Sequence, residues 1–255
     1  MSALETGRAV LERARDAEVT FLGAAIAYYA LVSVLPALLL AVAVATAVGG
    51  AALAARVTSL TEQLLPAAGQ SVLQSALTSA SGRVGASVFG VLLLVWSTSS
   101  VFRGLDVAFS RIYDRPGGRS LPNEFRNASV VVAGVSVAMV GMLVLGGLLA
   151  ALPIPVAGRA LGFVALFVGL FAAFLPMFLV LPSAPVTVRE VLPGTALAAV
   201  GWVALQAGFQ LYAIAAPAYK LYGVMGGVLL LVTWFYLAAL LLLVGGVVNV
   251  VLADR

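Results

Sequence analysis

Six stretches of this 255-residue chain are almost wholly apolar for 20 or more residues, at about 22–48, 84–104, 128–152, 160–182, 191–215 and 223–252. A helix of ~20 residues crosses the hydrocarbon core of a bilayer. A backbone in hydrocarbon must satisfy its own hydrogen bonds, which leaves helices or a closed barrel. None of the six stretches shows the alternating ten-residue pattern of a membrane strand, so helices are predicted. Composition agrees: 63% of residues are hydrophobic and 9% charged, against about 25% charged in a soluble domain. A soluble domain of this length has too little interior to hide that much apolar surface. The expectation is an all-α polytopic membrane protein, residues 1–255 forming one six-span domain with short amphipathic interfacial helices.

Basic residues set the expected orientation. With the N-terminus in the cytoplasm, the inner segments hold Arg8, Arg13, Arg15, Arg103, Arg111, Arg115, Arg119, Arg126, Arg189 and Arg255, and the outer ones only Arg56, Arg83, Arg159 and Lys220. The excess of positive charge marks the inner side, so both termini are expected in the cytoplasm and the protein in the inner (cytoplasmic) membrane. The net charge of +4 follows from this topology. It does not point to nucleic acid, because Asp106, Asp114 and Glu124 lie among the same arginines.

Residues 1–20 combine three Arg with four acids, a poor n-region for a cleaved signal peptide. They read as a cytoplasmic amphipathic helix whose apolar stripe is Leu4, Leu11, Ala14 and Val10, resting on the inner face of the bundle. Residues 50–83 read as an external segment. There Leu53, Val57, Leu60 and Leu64 recur at helical spacing, and Pro66 separates them from a second short helix carrying Val72, Leu73 and Leu77.

The chain has no Cys and no His. This removes disulfides, thiolate nucleophiles, the commonest metal ligand and the commonest general base. Metal-dependent phosphodiester cleavage needs clustered carboxylates or His, and none of the ten acids lies deep in a span. No Walker-type phosphate loop is present. No catalytic residue, metal or cofactor is assigned, and the expectation is a protein that is not an enzyme.

Polar side chains inside spans are costly and mark candidate sites. Tyr29, Ser33 and Pro36 share a face of the first span. Ser99, Arg103 and Asp106 share a face where the second span ends in Trp96-Ser97-Thr98-Ser99-Ser100. Gln206 and Gln210 lie one turn apart on the fifth span, and Tyr222 opens the sixth beside Gly223. The competing reading gives each a structural role: interfacial aromatics, a proline kink, hydroxyls bonded to their own helix, a snorkelling Arg, and amides bonded between helices. If functional, Tyr29, Ser33, Gln206, Gln210 and Tyr222 would line one path.

Several of these residues fall in a recurrent order: Ala25-x-Ala27-Tyr28-Tyr29-x-Leu31-x-Ser33-x-x-Pro36, the Trp96–Phe102 segment, Tyr222-Gly223-x-x-Gly226, Trp234-x-Tyr236 and Gly245-x-x-x-Asn249. In this order the chain resembles the YihY/virulence factor BrkB family. The resemblance implies a prokaryotic inner-membrane protein with about six spans and a poorly defined function. Older labels of that family as ribonuclease BN disagree with the residues present here. The family often carries an acidic residue two positions before the last Asn, where this chain has Val247.

The functional expectation is membrane transport, as an exporter of a small neutral or zwitterionic solute suited to Tyr, Ser and Gln. The alternative is a non-transporting membrane scaffold or envelope-associated factor that binds a partner protein. Transport would require a polar cavity, and a scaffold would have a filled core. The expected surroundings are the lipid bilayer and, in the first reading, a small-molecule solute.

Overall fold

The computed structural model describes residues 3–34, 92, 96, 99–114, 129–131, 133–134, 137, 141, 157–182, 184–215 and 223–254. Among these every regular element is a helix and no strand occurs. Six can be followed over more than two turns: α1 (Ala3–Asp16), α2 (Val19–Val34), α3 (99–112), α4 (Ala157–Val180), α5 (Val188–Ala215) and α6 (Gly223–Leu252).

Local chemistry explains their ends. α1 carries Glu5 in its first turn and Arg13 and Arg15 in its last, the placement that favours the helix dipole. It ends at Asp16, and Glu18 in the following turn takes a left-handed φ of 51°. The helix pair Leu4–Asp16 and Val19–Val34 is bent there by 59°. Pro182 and Pro185 follow the end of α4, where their rings stop the helix from continuing. Thr187 then stands just before α5 with Glu190 three residues later, the capping-box spacing, and the Thr187 carbonyl accepts the Glu190 N–H at 3.1 Å.

α4, α5 and α6 are each long and apolar enough to cross a membrane, and the bent α1–α2 pair is a fourth candidate. Their limits agree with the stretches expected at 160–182, 191–215 and 223–252. Much of the surface of these helices is apolar. Leu161, Val164 and Val168 form one exposed stripe on α4, and Leu197, Val200, Leu211 and Leu229 are exposed on α5 and α6. Exposed apolar rows of this extent suit an acyl-chain environment and not water. The second and third expected spans are described only in part, and residues 50–83, with Pro36, Ser97, Thr98 and Tyr222, lie outside the described residues.

The chain forms two compact units. The first comprises residues 1–25, 102–221 and 236–255. Its core is made by α3, the end of α4, the start of α5 and the end of α6: Phe109, Ile112, Phe178, Val191, Leu243, Val247 and Val250 are all essentially solvent-free. α4 and α5 form a helical hairpin, and Phe174 packs edge-on against Trp202 with ring centroids 5.2 Å apart. The Trp202 indole N–H donates to the Ala238 carbonyl at 3.2 Å, tying α5 to α6. The second unit comprises residues 26–101 and 222–235. Within it Tyr29 meets Tyr28 and Trp96 edge-on, at centroid distances of 5.5 and 6.4 Å.

Candidate functional site

The most unusual chemistry in the described residues is a buried polar crossing of α5 and α6. Pro193 sits inside α5. It has no N–H, so the carbonyl four residues earlier, that of Arg189, loses its helical donor. The next residue, Gly194, donates its N–H to Oδ1 of Asn249 at 2.7 Å, across the helix interface. Asn249 is only 1% exposed. Its Nδ2 is also buried and finds no acceptor among the described residues. A buried amide group left unmatched costs about 1–3 kcal/mol.

Small residues make this approach possible. A Cβ on Gly194 would overlap the Gly245 carbonyl oxygen and stand 2.5 Å from Asn249 Oδ1. A Cβ on Gly245 would stand 2.7 Å from the Gly194 carbonyl oxygen and 2.9 Å from the Phe178 ring. On the next face, Gly246 lets α6 lie against Phe109 and Ile112 of α3. Close backbone contact through glycine is the way membrane helices gain packing energy when lipid offers no hydrophobic contrast. Thr195, also buried, turns its hydroxyl to the Val191 carbonyl of its own helix at 2.7 Å. Ser110 of α3 is a third buried polar residue, and its Oγ has no partner among the described residues.

An electrostatic corner secures α1 to the same unit. Arg13 Nε donates to the Ile112 carbonyl at 3.0 Å, placing a cation on the C-terminal carbonyls of α3, where the helix dipole favours it. Beside it Arg111 pairs with Glu18.

The residues singled out from sequence are distributed as follows. Tyr29 is half-buried in the aromatic contact with Trp96. Ser33 is half-buried, and its hydroxyl donates to the Ala30 carbonyl of its own helix at 2.6 Å. The Ser100 hydroxyl likewise donates to the Trp96 carbonyl at 2.9 Å. Ser99 is half-buried in the second unit, while in the first Asp106 is half-buried and Arg103 exposed. On α5 Gln206 is half-buried and Gln210 exposed. Tyr29 of the first expected span thus contacts Trp96 of the second, a pairing the sequence had not suggested. Gly194, Ser110 and Asn249 were not among the expected site residues. A Pro-Gly step inside a span and a lone Asn near the end of another were the available signs.

Compared with known families, residues 10–255 match Virulence factor BrkB. Among named relatives, the chain is 28% identical over 220 residues, 76% of each chain, to YfkH of Bacillus subtilis, a protein named as ribonuclease-like. It is 27% identical over 203 residues to a UPF0761 membrane protein of Aromatoleum aromaticum, an overlap of 76% of this chain and 50% of that one. No solved structure matches. Val247 is fully buried in the core of the first unit. With a family match over nearly its whole length and several apolar helices, the chain belongs to the virulence factor BrkB family of membrane proteins.

Proposed function

We propose that this protein spans the cell membrane six times with both termini in the cytoplasm, and that it moves a small neutral or zwitterionic solute outward. The buried, half-satisfied Asn249 carries the proposal. In a static crossing the Oδ1 of Asn249 is used, because it takes the buried Gly194 N–H, but the unmatched Nδ2 only adds cost. A helix pair with a second arrangement does gain from it, because the spare donor finds a partner when the helices shift. Proline and glycine at a polar point between membrane helices are a recurrent feature of transporters; here Pro193-Gly194 lies in the second turn of the continuous helix α5 and faces Gly245 and Asn249 of the continuous helix α6. In this reading the packed region around Phe109, Phe178 and Asn249 is the closed inner gate, and Tyr29, Ser33, Ser99, Arg103, Asp106, Gln206, Gln210 and Tyr222 belong to the path.

A specific observation favours the second reading, a non-transporting scaffold: the described core of the first unit is filled by apolar side chains, and the Ser33 hydroxyl is taken up by its own backbone. Efflux from proteoliposomes loaded with small neutral and zwitterionic osmolytes separates the two. Transport requires protein-dependent release of at least one of them, lost in a folded Gln206→Leu, Gln210→Leu variant. Absence of release across the whole panel supports the scaffold.

A further inference from the structure

Helix α1 has three distinct long faces. The first, Thr6, Ala9, Val10, Arg13 and Ala17, is half-buried to buried and is the face anchored by Arg13 on Ile112. The second, Glu5, Glu12 and Asp16 at i, i+7 and i+11, is exposed and acidic. The third is Leu4, Arg8, Leu11 and Arg15 at i, i+4, i+7 and i+11, all exposed, with Leu4 81% and Leu11 52% accessible. The Arg111–Glu18 pair uses neither Arg8 nor Arg15. At about 100° per residue, Gly7 and Ala14 fall between the protein-facing and Leu/Arg faces, and the acids lie opposite them. A helix lying in the angle between a membrane protein and the bilayer surface needs this arrangement: one side on protein, one on lipid, small residues in the crevice, and acids turned to water.

The chain continues from α1 straight into α2, where Phe21, Ala24 and Tyr28 are exposed at i, i+3 and i+7. This apolar and aromatic row, beginning five residues after α1 ends, sets the membrane boundary beside it. We propose that the Leu4–Arg8–Leu11–Arg15 face of α1 binds the anionic phospholipid headgroups of the bilayer surface. The leucines enter the headgroup–acyl boundary, and the two guanidiniums, set between them, pair with lipid phosphates, as in interfacial helices. This inference rests on membrane insertion and is independent of transport.

The chain lacks Cys, so Leu11→Cys, Leu4→Cys and Glu12→Cys each give one nitroxide-labelling site in the full-length protein. The proteins are reconstituted into vesicles of phosphatidylcholine alone or with phosphatidylglycerol. In phosphatidylglycerol vesicles, labels at positions 4 and 11 are expected to show a several-fold higher oxygen-to-nickel-chelate accessibility ratio than the label at 12. The ratio should fall in phosphatidylcholine alone, and Arg8→Gln with Arg15→Gln should remove that lipid dependence. Three results would overturn the proposal: labels at 4 and 11 as open to the chelate as the label at 12, equal ratios in both lipids, or lipid dependence that survives loss of both arginines. Loss of the monodisperse elution of one labelled variant leaves the other position to decide.

Discussion

The backbone N–H of Gly194 and the side-chain oxygen of Asn249 lie 2.7 Å apart, 55 positions apart in sequence, in a place sealed from solvent. This bond requires that residue 194 has no side chain, since a Cβ there would overlap the Gly245 carbonyl oxygen. One hydrogen bond thus couples a helix irregularity in α5 to a polar residue near the end of α6.

Gly194→Ala is therefore expected to be severely destabilising. The added methyl meets backbone, which cannot rotate away, and overpacking of this kind costs about 3 kcal/mol or more. Gly208→Ala in the same helix meets nothing within 4 Å and is expected to be neutral or to stabilise by about 0.5–1 kcal/mol through helix propensity. Thermal unfolding of both in detergent tests the contrast. Equal behaviour would mean that the α5–α6 approach is wrong.

Arg13→Met should lower stability by about 1–2 kcal/mol, since it removes a charge-assisted bond to a helix C-terminus while keeping the packed stem. Glu18→Gln should cost less than about 1 kcal/mol, because both partners of the Arg111 pair are well exposed, at 46% and 60%. Unfolding midpoints of the two variants should fall in that order.

Reporter fusions at residue 255 and within residues 50–83 should report cytoplasm and exterior respectively. The ten-to-four distribution of basic residues motivates this. An external C-terminus would contradict the six-span topology.

Purified protein should not cleave RNA with any divalent metal, despite the ribonuclease-like name of its Bacillus subtilis relative. His and Cys are absent from the sequence, and no group of three candidate ligands occurs among the described residues. Cleavage that copurifies with the protein and disappears on replacing one of its acids would reverse this conclusion.

The limits of α4, α5 and α6 were legible because long apolar runs bounded by Pro182, Pro185 and Gly223 leave little choice of element. The N-terminal helix was legible as a helix, but its faces were not. Hydrophobicity chose Leu4, Val10, Leu11 and Ala14 as the docked stripe; Val10 and Ala14 are half-buried, but both leucines are exposed, and the docked side is organised by Arg13 bonding a distant carbonyl. The same difficulty hid Gly194. A glycine in an apolar run has no side chain to mark it, and its importance comes entirely from Gly245 and Asn249 on another helix. For the hydroxyls the competing structural reading holds at Ser33 and Ser100, which bond to their own helices, as does Thr195, which the sequence had not singled out.

The proposed inner gate is tested most directly by the solvent access of position 110. Ser110→Cys puts one nearly isosteric thiol into the buried core, in a chain with no other. Its reaction with a water-soluble maleimide is followed in proteoliposomes, with each osmolyte of the release panel in turn. A gate that opens predicts slow labelling at rest and a several-fold faster rate with those osmolytes that are released, but not with the others. A thiol that is fully reactive at rest, or whose rate does not change while release is under way, would contradict it.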